Sequence, residues 1–226
     1  RKIRSLDIIL KTCTGVNLVS QNKKRIFEHK KSEYTFRTIN SLLKSLKKFQ
    51  QNINNIDLQI TIIDSGSSKE DKELMREILE KSKFKFNFIE LNLTDYLQRI
   101  KVIKKNNTQI ENNMKSTMAS IIKSFEISKN SDDLVYFVED DYIHSDDCIS
   151  EMLSVYEKFS TILEDEVFIV PVDYPYLYQK NQSTNLLIGQ KYHWRSVRES
   201  LLTFLTSNKM INKYYNELIK MGEIEH

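Results

Sequence analysis

The chain has 226 residues, with 40% hydrophobic and 29% charged side chains, a formal charge of +3 and a pI of about 8.6. That length supports one large domain with a substantial core, and so mild a charge does not point to nucleic acid. No stretch approaches the ~20 apolar residues of a membrane span, and the opening RKIRSLDIILKTC reads as a first strand rather than a signal peptide.

Cys13 and Cys148 are the only cysteines and form no CxxC pair. This argues for a reducing, cytoplasmic setting without a disulfide framework or zinc ribbon. The basic runs QNKKRIFEHKK and KSLKK are either a solvated face or a peripheral contact with an anionic membrane surface or a phosphate-bearing substrate. Glycine (4) and proline (2) are too scarce to supply a linker, so residues 1–226 are expected to form a single domain. The start at Arg1 rather than Met fits a trimmed chain, with the natural C-terminus expected beyond His226.

In chain order, SLDIILKTC is an apolar strand ending near Thr12. After a polar stretch over 14–32, Phe36, Ile39, Leu42, Leu43, Leu46 and Phe49 recur at helical spacing, with Ser32 as the expected N-cap. IDLQITIID is a second strand and SGSS a turn. Ser68 and Asp71 form a capping pattern for a helix that buries Leu74, Ile78 and Leu79. FKFNFIELN alternates as a half-buried strand. Met114, Met118, Ile121, Ile122 and Phe125 mark another helix. LVYFV is a buried strand running into Glu139, Asp140 and Asp141. A helix capped by Asp146 or Asp147 then carries Ile149, Met152, Leu153, Tyr156 and Phe159. VFIVPVD reads as a further buried strand, and NLLIGQKYHWRSVRESLLTFLTSNKMI as short strands before a final helix.

Strands and helices that alternate in this way predict an α/β fold: a mixed, mostly parallel sheet with helices on both faces. Such sheets bind ligands outside the carboxyl ends of their strands. KTCTG, IIDSGSS and VEDDY are therefore expected to converge on one crevice. Three adjacent carboxylates repel one another by about 1–4 kcal/mol per pair near a protein surface. Either a wet loop or a divalent cation would offset that cost. There is no GxxxxGK[ST] loop and no GxGxxG fingerprint, so a phosphate ligand needs other neutralisation. Mn²⁺ or Mg²⁺ held by the acids would supply it. Glu139 and Asp141, at alternate positions, would face together. On this reading, neutralising Asp140 should stabilise the ligand-free protein.

A strand ending in IIDSGSS, followed by an apolar strand ending in EDD, resembles the GT-A fold glycosyltransferases, especially the family 2-like group. HWR followed by LLTFLTS also resembles a strand pair that follows the metal motif in that group. The resemblance covers residues 6 to 170, mainly by the order of elements. It implies a metal-dependent transferase that moves a sugar from a nucleotide-diphosphate donor to a glycan or lipid-linked acceptor in polysaccharide assembly. It implies Asp64 as a contact to the nucleotide base and Thr12 as a lining residue of the nucleotide pocket. Glu139-Asp140-Asp141 would be the counterpart of the Asp-x-Asp motif, with Asp141 and Glu139 on the metal and Asp140 on the ribose or metal. His193, and less so His144, would be a further metal ligand or diphosphate contact. Arg195 and Arg198 would stabilise the leaving diphosphate. Tyr174, Tyr176 and Tyr178 either stack on an acceptor sugar or form an edge strand. Two departures stand out. The first motif acid is Glu rather than Asp. Inverting members carry a later Glu-Asp pair as catalytic base, whereas the only acids after Leu205 are Glu217, Glu223 and Glu225. The alternative is a GT-A-like module that binds without catalysis. A nucleotidyltransferase would need a Gly-rich N-terminal loop, which is missing.

Overall fold

The computed structural model describes residues 1–15, 30–53, 55–102, 108–179 and 181–225, with side chains described from 111 in the fourth of these after the gap at 103–107. His29 and His226 lie outside the described residues. The central sheet has the order β3-β2-β1-β4-β7. β1 (Ser5–Thr12), β2 (Asp57–Asp64), β3 (Lys85–Glu90) and β4 (Leu134–Glu139) are mutually parallel, and β7 (Phe204–Ser207) pairs antiparallel with β4. The mostly parallel α/β architecture read from the sequence is the one observed. Parallel strands need helical crossovers. α1 (Lys31–Asn52) joins β1 to β2, α2 (Lys69–Ser82) joins β2 to β3, and α3 (Thr108–Ser128) carries the chain to the other side of β1. The winding therefore reverses between β1 and β4.

Both sheet faces are covered. Ile8, Leu10, Ile60, Ile62, Tyr136 and Val138 pack on one face against α1, α2 and α4 (Cys148–Leu163). Ile9, Ile63, Val135 and Phe137 pack on the other against α3 and Ile211 of α5 (Asn208–Lys213). This explains why the strands read as near-continuous apolar runs. Two short helices, α6 (Tyr215–Leu218) and α7 (Lys220–Glu223), follow, and α7 packs on α3. Among the described residues no helix is long and apolar enough to cross a membrane.

Ser68 caps α2, accepting from the Asp71 N–H at 3.1 Å, as its spacing predicted. Four expectations are revised. α1 starts at Lys31 after Lys30, without a side-chain cap, so Ser32 lies within its first turn. Leu74 is exposed, and Met75 fills the core position beside Leu79. VFIVPVD is not a full strand: only Ile169 bridges to Leu205, through paired 2.8 Å bonds. Pro171, lacking an N–H, ends that pairing. DYPYLY is neither strand nor edge, because Pro175 opens a 3-10 turn over Pro175–Tyr178. Beyond it, β5 (Leu186–Ile188) and β6 (His193–Arg195) form a separate antiparallel ribbon.

Candidate functional site: the crevice at the strand ends

The register aligns Thr12 with Asp64, side by side at the ends of β1 and β2. The Thr12 hydroxyl donates to Asp64 Oδ1 at 2.9 Å, and Oδ2 accepts from the N–H groups of Gly66 (3.3 Å) and Ser67 (3.1 Å). Asp64 is buried and folds its own turn, as Asx residues do. Gly66 takes φ 145°, which favours glycine. The Gly15 N–H donates to the Gly66 carbonyl at 3.1 Å, and a Cβ at Gly15 would collide with that oxygen. Thr14 completes the lacing. Its N–H donates to Ser67 Oγ (2.9 Å) and its hydroxyl to Asp71 Oδ2 (2.6 Å). Ser116 of α3 donates to the Ser65 carbonyl at 2.7 Å. The loops after β1 and β2 thus form one rim.

The acid turn forms the opposite rim. Its repulsion is offset in a way neither sequence alternative foresaw. Glu139 lies in register with Lys11, whose Nζ is 3.4 Å from Oε1. Asp140 turns to the α1 side and is buried. It accepts from Lys31 Nζ at 2.5 Å, the Thr35 hydroxyl at 2.8 Å and the Cys13 N–H at 3.2 Å. Two lysines therefore neutralise two of the acids, one from each face of the sheet. The expectation that removing the Asp140 charge would stabilise the protein is reversed, because removal leaves a buried ammonium unpaired. Asp141 is exposed at the tip of the turn.

Among the described residues, no three His, Cys, Asp or Glu side chains converge as a ready-made metal cage. A Mg²⁺-like ion needs only one or two protein carboxylates when substrate phosphate oxygens and water complete its shell. Glu139 and Asp141, flanking the inward-turned Asp140, fit that requirement. Asp140 does not, since it is turned to the α1 side, buried, and already ion-paired with Lys31.

The remaining candidates lie elsewhere. His144 is packed inside the protein, its Nε2 3.0 Å from the Tyr136 hydroxyl. Burial lowers its pKa to about 4, which makes it a neutral core histidine. His193 is exposed on β6, opposite Ile188. Arg195 donates to Asp173 Oδ1 at 2.8 Å and lies over the Tyr178 ring at 4.3 Å. Arg198 is exposed in the following loop. This group meets the acid turn through the neighbour of Asp173: the hydroxyls of Tyr174 and Tyr142 are 3.0 Å apart. Tyr174 stacks on Tyr176.

Sequence reasoning missed Lys11, Thr35 and Thr14 as site residues, did not single out Lys31, and read Asp71 only as part of the α2 capping pattern. Lys11 carried a signal, being a lysine directly after the apolar run Ile8-Ile9-Leu10 of a buried strand. Lys31 ends a basic run that reads either as a solvated face or as a contact with a membrane surface or a phosphate-bearing substrate, with nothing to single it out from its neighbours. Cys13 also borders the crevice. Burial pushes its thiol pKa up, and Asp64 and Asp140 nearby add to this, so it stays a neutral thiol and a poor nucleophile.

No known protein family matches the chain by sequence profile, and no curated protein matches it. Solved structures that align with the chain include the following. TarS of S. aureus aligns with 74% of this chain at 14% identity and a TM-score of 0.37. The galactosyltransferase LgtC, in complex with donor and acceptor sugar analogs, aligns with 97% at 12% identity and a TM-score of 0.39. An active-site mutant of LgtC aligns with 96% at 13% identity and a TM-score of 0.42. The chain spans 21%, 66% and 64% of these proteins, less than two thirds of each.

Proposed function

We propose that the chain binds a nucleotide-diphosphate sugar in the crevice and acts as a glycosyltransferase toward a hydroxyl-bearing glycan or lipid-linked acceptor. One observation carries the reading. Three strand ends bearing Thr12, Asp64 and Glu139–Asp141 meet where the sheet winding reverses, and Asp64 and the acid turn each match a motif position of the GT-A resemblance. Asp64 has three hydrogen bonds of the roughly four that a carboxylate accepts, which leaves one position for a base N–H. Held by Glu139 and Asp141, Mn²⁺ or Mg²⁺ would supply neutralising charge to the departing diphosphate. The protein's own part is to orient the donor between the two rims while the acceptor hydroxyl attacks the anomeric carbon. Calorimetry with UDP and GDP tests the reading. Affinity should strengthen at least tenfold on going from EDTA to Mn²⁺, and Asp141→Ala should abolish that gain. Equal affinity in both buffers would defeat the metal assignment.

A second reading, a binding module without catalysis, has its own support. Of the late acids, Glu223 is held by Arg99 at 3.0 Å in the α3–α7 packing, away from the strand ends. Slow hydrolysis of a nucleotide sugar by the wild type, lost in Asp141→Ala, would favour the enzyme.

A further inference from the structure

The acid turn is bracketed by two ammonium groups with little access to water. The side chain of Lys11 is 10% exposed, and its stem runs beside Ile9, Phe125, Phe137 and Leu202. The side chains of Lys31 and Asp140 are each 11% exposed. Burying an ammonium costs several kcal/mol, and a pair repays that only with good geometry and further hydrogen bonds. Lys31 has good geometry toward Asp140. Lys11 does not: its ion pair with Glu139 is 3.4 Å long. An ammonium has three N–H donors, and each lysine uses one on its carboxylate. Lys11 sits near the carboxyl end of β1, and the Lys31 ammonium reaches Asp140, just past the carboxyl end of β4. Lys31 also opens α1, whose N-cap residue, Lys30, makes no side-chain cap bond. The helix dipole favours an anion there.

We propose that Lys11 and Lys31 are phosphate-binding residues of the crevice. In the ligand-free protein they hold the acid turn. When a nucleoside diphosphate enters, each gains a phosphate oxygen as a second anionic partner, so part of the affinity persists without a divalent cation. This rests on the nucleotide-sugar reading above. A purely structural role predicts something different: the lysines would matter for stability and not for ligand.

The test is binding of UDP and GDP in EDTA, with melting curves to confirm that every variant is folded. Lys11→Met and the double variant Lys31→Met/Asp140→Asn should each weaken binding at least tenfold. The double variant removes both charges, so no buried carboxylate is stranded. Asp140→Asn alone keeps the ammonium and should bind at least as tightly as wild type. Lys31→Arg should stay within threefold. The proposal is overturned if the two methionine variants bind within twofold of wild type. It is also overturned if wild type binds with Mn²⁺ but not at all in EDTA. Absence of binding in both buffers would overturn the nucleotide reading itself, and this inference with it.

Discussion

His144 is the residue whose protonation most directly opposes folding. Its pKa falls from 6.5 to about 4 because the folded core desolvates the cation. The unfolded chain takes up a proton near pH 6.5, and the folded chain does not until about pH 4. Above pH 6.5 the group has no effect on stability. Between pH 6.5 and 4 it removes stability progressively, by about 3 kcal/mol in all, and below pH 4 its effect is constant. Its Nδ1 is buried without a partner, so no carboxylate rescues the cation. His144→Gln keeps a partner for the Tyr136 hydroxyl and cannot titrate. Urea melts at pH 7 and pH 4.5 should show a smaller loss for the variant than for wild type. Parallel losses would mean that other groups drive the acid sensitivity. The sequence alone could not assign this role. His144 stands three residues past Asp141 and looks like a ligand, and only the Tyr136 contact reveals which way it points.

Among the elements, the β5–β6 ribbon depends on one side chain. Glu151, buried in the first turn of α4, accepts from the N–H groups of Gln190 (3.1 Å), Lys191 (2.8 Å) and Tyr192 (3.3 Å), and from the Trp194 indole (3.0 Å). Gly189 is required nearby, because a Cβ there would overlap Glu151 Oε1. Leu187 and Trp194 pack inward, whereas Leu186 and Ile188 are exposed. Losing the carboxylate therefore weakens four part-buried hydrogen bonds at once. Glu151→Gln should cost about 2–4 kcal/mol locally and release the ribbon from α4. Trp194 is the only tryptophan, so its emission should shift to the red while the far-UV spectrum is retained. An unshifted emission would show that the inner packing suffices.

Legibility followed the same division between elements. Helices with a strong apolar period, such as α1 and α4, could be read from the sequence, as could the Ser68 cap, because those signals are local. The short strand after α4 misled because VFIV is apolar enough, yet Pro171 removes the donor needed to extend it. Glu151 was unreadable, since an acid in a helix's first turn looks like an ordinary response to the dipole. The convergence of Thr12, Asp64 and the acid turn was legible because alternation fixes which strand ends point the same way. The lysines that neutralise the turn were not, because that pairing depends on the register between β1 and β4 and on where α1 begins.

At the scale of the whole molecule, the crevice is assembled from remote parts of the chain. Cys13 and Asp140 are separated by 127 residues, and Lys31 and Asp140 by 109. The chain builds β1, β2 and β3 to one side before α3 returns β4 to the vacant side of β1. Contacts of such long range carry a large loop-closure cost and tend to form late. The winding reversal that places the rims opposite each other thus has a kinetic meaning. The β1–β2–β3 layer can collapse while β1 still has an open edge, and the ion pairs across that edge record the last docking event. In refolding from urea, protection of the β2 amides should precede protection of the β4 amides. Recovery of nucleotide affinity should track the slower of the two. Simultaneous protection would indicate a single cooperative step. If the phases separate, an early intermediate would expose the β1 edge at the very strand that later carries the site, and aggregation during synthesis would begin there.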